Sequence, residues 1–389
     1  MEILFVSHKF PPSVGGMEMQ SFKLINGMAE YCKVHRIVYE GKGTVWRFFL
    51  GLRSSIFKMC RDHPDITVIH FNDALLATFC LSHKGYEHLK RTVTLHGLDV
   101  VFPSQLYRKY VFPRFDRFDL FIAVSRATAD HAIALGLNPD KVVVINNGVD
   151  IEPQYSEHYA QPTAELLEKY AIPAGRLLLV GVGRPVRRKG FSWFIREVVR
   201  KLDPRFFVVL IGPFDNQPTF FERILPLIPG KVREQVMLFL GFGSDAQAIR
   251  SLLKDPDFNQ SVRHLGRLPA GDKKRLLQAS AAFIMPNVHV DGDMEGFGLV
   301  CLEAAVEGAL VFAADIDGIP DAIRHGKNGF LLPSQNAEGW AAKLNELAAD
   351  SRLLGGQKQA FRDFTIAHYS WDKMVKAYFE AFEHLSMQA

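Results

Sequence analysis

Glu295 and Glu303 bracket the segment Gly296-Phe297-Gly298-Leu299-Val300-Cys301-Leu302, so two carboxylates stand with seven residues between them. The first lies on a glycine-rich turn. The second lies on the apolar stretch Leu299 to Ala305, which reads as the opening of a helix. Glycines at 296 and 298 let the backbone approach a ligand closely. A helix start offers unpaired N–H groups and a partial positive charge, which suits a phosphate. A carboxylate one turn further in can accept hydrogen bonds from hydroxyls. The plain alternative is an amphipathic helix with two solvated glutamates.

Three other loops carry residues of similar promise. Gly181-Val182-Gly183-Arg184, with Lys189-Gly190 soon after, could clamp a diphosphate, Arg184 through its planar fork and Lys189 as a point charge. Arg187 and Arg188 make that loop more basic still. It is not a dinucleotide fingerprint, because Val186 stands where the third glycine belongs. Pro11-Pro12-Ser13-Val14-Gly15-Gly16 follows the first apolar run and can present backbone N–H groups to a phosphate. His96-Gly97-Leu98-Asp99 follows another, placing a histidine and a carboxylate where a strand should end. Each has a plain reading as an ordinary turn. Asp291-Gly292-Asp293 has the form of a metal-binding aspartate pair, but a lone pair in a polar loop is weak evidence for a metal.

These loops need elements to hold them. Ile3–Ser7, His35–Tyr39, Val68–Phe71, Thr92–Leu95, Leu120–Val124 and Val142–Ile145 read as strands, with helical stretches at Gln20–Tyr31 and Arg126–Leu135. The pattern restarts with Leu177–Val182, Phe207–Ile211, Met237–Gly241, Ala282–Met285 and Leu310–Ala313. Continuous Val/Ile/Leu runs alternating with helices predict parallel sheets covered on both faces, hence two doubly wound α/β domains. The junction falls in Gly148 to Pro173, and Ser370 to Leu385 has helical periodicity with no strand after it.

A chain of 389 residues exceeds one ordinary domain, and 48% hydrophobic with 23% charged residues is a globular composition. No apolar run approaches the roughly 20 residues of a membrane span. The start, Met1-Glu2-Ile3-Leu4-Phe5-Val6-Ser7, reads as a strand and not a signal peptide. Four cysteines, Cys32, Cys60, Cys80 and Cys301, lack metal spacing and fit a reducing cytoplasm. A net charge of +4 gives no argument for nucleic acid. Two stretches mix basic and aromatic residues: Lys42 to Arg61, and Tyr107 to Phe115. On one helix such a mixture suits an anionic membrane surface, or else the basic rim of a core helix.

In this order the motifs resemble the retaining GT-B glycosyltransferases of family 4 (glycosyl transferases group 1). The resemblance covers nearly the whole chain. It rests on Gly15-Gly16, His96-Gly97-Leu98-Asp99, Asn147-Gly148-Val149-Asp150, Gly183-Arg184 with Lys189-Gly190, and His264-Leu265-Gly266. Glu295 with Glu303, Asp317-Gly318-Ile319-Pro320-Asp321 and Asn328-Gly329-Phe330-Leu331 complete it. It implies two Rossmann-like domains facing a cleft: residues 1–165 for the acceptor, residues 166–370 for the nucleotide sugar, and a helix at 371–389 crossing back to the first. Arg184 and Lys189 would stabilise the departing diphosphate, Glu303 would hold the ribose and Glu295 the donor sugar. Gly15, Gly16, Phe297, Gly298 and Leu299 would contact the diphosphate, His96 the transferred sugar, and Arg267 with Leu268 would lie near the base.

The resemblance further implies retention of anomeric configuration, no cofactor and no metal. The expected partners are a UDP- or GDP-sugar and a saccharide or lipid-linked acceptor in surface polysaccharide or lipopolysaccharide synthesis. No nucleic acid is expected, and the location would be cytoplasmic, with contact to the inner membrane face. Asp321, Asp315-Ile316-Asp317 and Asn287-Val288-His289 depart from the family's usual residues, which leaves the sugar open. The competing readings are a non-catalytic nucleotide-sugar-binding subunit and another enzyme on the same scaffold, such as an epimerase or phosphorylase. A dehydrogenase is disfavoured by the missing fingerprint.

Overall fold

A computed structural model describes residues 1–105, 107–151, 163–214, 245–349 and 351–387, with the backbone alone at 351–355. The chain divides into two compact units, Met1–Asp150 with His368–Ala389, and Ile151–Ala367.

The first unit holds six strands: β1 (Glu2–Ser7), β2 (Lys33–Val38), β3 (Ile66–Phe71), β4 (Lys90–Leu95), β5 (Leu120–Ala123) and β6 (Val142–Val144). All neighbours pair in parallel in the order β2-β1-β3-β4-β5-β6. Ile3 to Val6 and Leu120 to Ala123 are buried at every position. Both faces are therefore covered, as a continuous apolar run requires. Strand order reverses between β1 and β3, so the crevice of this sheet opens where those two strands end.

The second unit repeats the plan with β7 (Leu177–Val182), β8 (Phe206–Ile211), β9 (Val262–His264), β10 (Ala282–Met285), β11 (Val311–Ala314) and β12 (Phe330–Leu332). Their order is β12-β11-β10-β7-β8-β9, again parallel, with the reversal between β7 and β10. Phe191, Phe194 and Trp340 are almost wholly buried against this sheet. A large side chain so buried contributes about 1.5–3 kcal/mol. The strand expected at Met237–Gly241 lies outside the described residues.

The last helix, Trp371–Met387, packs within the first unit. Its buried Met374, Val375, Tyr378 and Phe382 recur at helical spacing. Phe382 meets the rings of Phe5 and His70, with centroids 6.2 and 5.2 Å apart. The Tyr378 hydroxyl accepts from Gln20 Nε2 (3.2 Å) and lies 3.0 Å from Thr94 Oγ1. His70 closes this polar network through Thr92 and Thr94 (2.7 and 3.0 Å), and burial drives its pKa down to about 3. A neutral imidazole satisfied on both nitrogens is thus built into the sheet.

The two basic-aromatic stretches differ in structure. Val45–Asp62 is one helix, capped by Thr44, that exposes Trp46, Leu50 and Phe57. Tyr107–Phe115 is not one regular helix. It runs as a π-helical turn followed by a 3-10 segment in which Phe112 and Phe115 are buried.

Candidate functional site

The second unit gathers a charged cluster at its topological switch point. After β7 the chain makes a 3-10 turn, Arg187–Lys189, that ends at Gly190 in the left-handed region (φ 66). A Cβ at Gly190 would overlap the Pro286 carbonyl oxygen, so the loop after β7 and the loop after β10 touch backbone to backbone. That contact sets Lys189 facing Glu295, with Nζ 2.8 Å from Oε2 and both side chains largely buried.

Arg188 completes the cluster. Its Nη1 donates to both oxygens of Asp293 (2.8 and 2.9 Å), and its Nε donates to Glu295 Oε2 (3.4 Å). Asn287 Nδ2 donates to the same oxygen (3.3 Å). Burial alone would raise the pKa of Glu295, but Lys189 and Arg188 outweigh it and hold the carboxyl down to about 2. Glu295 is therefore a fixed anion. The backbone around it is also pinned: its N–H donates to Asp317 Oδ2 (3.0 Å), and its carbonyl accepts from Gly318 N–H (3.0 Å).

The turn then rises through Phe297, which is buried, to Gly298 at φ 94, the N-cap of helix Leu299–Val306. A left-handed residue at that point favours glycine. The first-turn N–H groups of a helix have no intrahelical acceptor and carry positive potential. Glu303 sits one turn in, partly exposed, 2.8 Å from Lys273 Nζ. Arg184 is exposed on the loop after β7, and Arg267 is exposed with Leu268 partly buried on the loop after β9. Nearby, His264 stacks on Phe214 (centroids 4.0 Å apart, 14° between planes) and accepts from the Gly266 N–H through Nδ1 (3.1 Å). Burial lowers the pKa of His264 to about 4.

In the first unit the expected residues lie beyond the carboxyl ends of β1 and β4. Gly15 caps helix Gly16–Met28. His96 Nε2 donates to the Asn72 carbonyl oxygen (2.7 Å), which fixes the proton on Nε2 and leaves Nδ1 as an acceptor. Burial lowers the His96 pKa, keeping the ring neutral near pH 7. Its backbone N–H donates to Asp99 Oδ2 (2.7 Å), and burial raises Asp99 to about 7. Beside them His8 Nδ1 lies 3.0 Å from Asp73 Oδ2, a pair at the switch point of this sheet.

Each unit thus joins part of the expected set. Lys189 meets Glu295, and Phe297, Gly298 and Leu299 form the turn above them. Gly15, Gly16 and His96 belong to the first unit. Sequence reasoning passed over Arg188, Asn287 and Asp317 as partners of Glu295, and over the His8–Asp73 pair. Asp293, read there as a loop residue, is held at both oxygens by Arg188. Among the described residues, no group of three or more His, Cys, Asp or Glu is placed to hold a metal ion.

Comparison with known proteins adds family to geometry. Residues 162–363 match glycosyl transferases group 1, and residues 14–153 match glycosyltransferase family 4. A putative colanic acid biosynthesis glycosyltransferase, WcaL of Salmonella typhimurium, is 25% identical over 287 residues, spanning 73% of this chain and 61% of WcaL. This chain therefore covers about three fifths of that relative's length. The alpha-maltose-1-phosphate synthase of Mycolicibacterium smegmatis is 23% identical over 99% of this chain and 100% of its own. Among solved structures, HepE of Anabaena in complex with UDP-glucose superposes with a TM-score of 0.74 at 18% identity, covering 99% of this chain and 100% of HepE. At that identity the likeness shows the fold, which is GT-B.

Proposed function

The chain belongs to the glycosyl transferases group 1 family, and from that premise we propose a metal-independent transferase that moves a hexosyl unit with retention. The donor is a nucleoside-diphosphate hexose, with UDP-glucose the first to try because HepE is seen with it. The observation that carries this reading is the Arg188–Lys189–Asp293–Glu295 cluster at the switch point between β7 and β10, where doubly wound sheets bind ligands.

In this reading Lys189 and Arg184 face the diphosphate as negative charge builds on it, together with the first-turn amides of helix Leu299–Val306. Fixed cations and dipoles aimed at developing charge lower a barrier without reorganising. Each charge-assisted hydrogen bond contributes about 1.5–3 kcal/mol. Glu295, ionised at any working pH, accepts from donor-sugar hydroxyls, and Glu303 accepts from the ribose. His96 offers Nδ1 to a hydroxyl of the transferred sugar. Gly15 and Gly16 would approach the diphosphate, and Arg267 with Leu268 the base. Support for metal independence comes from the Asp291–Asp293 pair, whose Asp293 is already held at both oxygens by Arg188.

The acceptor is a saccharide or lipid-linked saccharide of a surface polysaccharide, by similarity to relatives named for colanic acid and amylovoran biosynthesis. Contact with the inner membrane face through helix Val45–Asp62 belongs to the same proposal. No described helix is long and apolar enough to cross a membrane. The test is steady-state kinetics with the donor that binds. Glu303→Ala should raise the donor KM, whereas Arg184→Ala and Lys189→Ala should lower kcat. Unchanged kcat in both cation variants would overturn the clamp. The product's anomeric coupling by NMR decides retention.

A further inference from the structure

We propose a second anion site in the first unit, at the amino ends of β4 and β5, that takes a phosphate group. It lies at the opposite end of β4 from His96: Arg91 is second in the strand and His96 follows its last residue, five residues on and roughly 16 Å of extended chain away. The site is centred on Arg91. This guanidinium lies 5.0 Å from the centroid of the Tyr86 ring, and the Tyr86 hydroxyl is 3.1 Å from His83 Nδ1. Arg91 is 8% exposed, and its Nη2 is buried without a hydrogen-bond partner. A buried, charged donor held in place without an acceptor is costly unless a ligand supplies one.

A groove of about 430 Å³ opens at this point. Its charged lining is Lys84, Lys90, Arg91 and Arg117 against Glu87 and Asp119. Both carboxylates are already committed to main-chain amides: Glu87 Oε2 accepts from Gly85 N–H, and Asp119 Oδ2 from the N–H of Arg91 itself, each at 2.7 Å. Arg117 is steadied by donating to the Leu81 carbonyl (3.1 Å). Four cations less two carboxylates leave an excess of two positive charges, which a doubly charged phosphate balances. Its several oxygens can serve the Arg91 fork and a lysine at once, which a single carboxylate does less well.

Two sources present that chemistry: a free small phosphate and a lipid headgroup. The second has a structural argument, because helix Val45–Asp62 adjoins the groove. Its Phe57 ring packs against Gly85, and after burial the Arg53 charge is the next cause holding the His83 imidazole below its ordinary pKa.

The experiment is amide hydrogen exchange on the full chain in sodium phosphate against sodium chloride at matched ionic strength. Protection of residues 82–92 is expected, and Arg91→Gln should raise the phosphate dissociation constant about tenfold or more. If Arg91→Gln does not fold, Lys84→Glu at the exposed rim should weaken binding in the same direction. Sedimentation with phosphatidic acid/phosphatidylcholine vesicles, whose headgroup is a phosphomonoester able to carry the second charge, then separates the sources. Vesicle binding lost in these variants assigns a headgroup, and phosphate protection without vesicle binding assigns a small phosphate. Absence of both, or phosphate protection that neither variant weakens, would overturn the site.

Discussion

Replacing Glu295 by glutamine isolates the charge at the centre of the donor loop. The folded carboxyl sits at about 2 against an ordinary 4.5, a difference of about 2.5 pK units. At about 1.4 kcal/mol per unit, the ionised form is favoured by roughly 3 kcal/mol over the protonated form, after burial has been charged against it. Because the folded pKa is depressed, this stabilisation is present above pH 4.5 and fades as pH falls from there toward 2. Glu295→Gln should therefore lower stability near pH 7 by up to about 3 kcal/mol, leaving Lys189 and Arg188 with one carboxylate fewer. For a unit of this size that is roughly 6–12 °C in melting temperature. Urea denaturation at stepped pH, with amide exchange in 177–190 and 282–306 as the local readout, compares the two proteins. Their stabilities should converge as pH falls below 4.5. A constant offset from pH 7 to 3, or no offset at all, would refute the reasoning.

Other expectations follow from the same geometry. Gly190→Ala should be strongly destabilising, since its Cβ overlaps Pro286 and its φ is left-handed, and should lower the soluble yield or the melting temperature of the second unit. Tyr378→Phe removes the hydroxyl shared with Gln20 and Thr94 and should cost about 1–3 kcal/mol in denaturant titration. Asp99 acts with the opposite sign to Glu295. Its pKa is raised from 3.8 to about 7, so its contribution is greatest below 3.8 and is lost as pH rises through 7. Asp99→Asn, which mimics the protonated form, should flatten the pH dependence of stability between 4 and 7.

The sequence shows the sheets because β1, β8 and β10 carry uninterrupted apolar runs, and such runs are legible wherever both faces are buried. Two short strands are not, although Val142–Val144, equally short, is. Val262–His264 and Phe330–Leu332 are three residues each, and their sequences read as loop motifs instead. The edge strand Lys33–Val38 begins earlier than its apolar residues suggest, because one of its flanks has no neighbour to bury. At the site, glycines and charges are visible but their pairing is not. Arg187, Arg188 and Lys189 are three adjacent cations, and only the 3-10 turn closed by Gly190 decides that Arg188 and Lys189 face Glu295. Asp317 reaches the Glu295 amide through its own left-handed backbone (φ 56), which no spacing rule announces. The Arg91 groove is invisible for a similar reason: a basic residue opening a strand looks solvated until Tyr86 packs beneath it.

The central claim is that the second unit grips a nucleoside-diphosphate sugar with protein cations. The direct measurement is thermal unfolding against a panel of nucleotide sugars and free nucleotides, with and without EDTA. A ligand at 100 times its dissociation constant stabilises by about 2.7 kcal/mol. The account predicts such a shift with one base, unchanged by EDTA and diminished in Glu303→Ala. A shift abolished by EDTA, or none with any nucleotide, would contradict it.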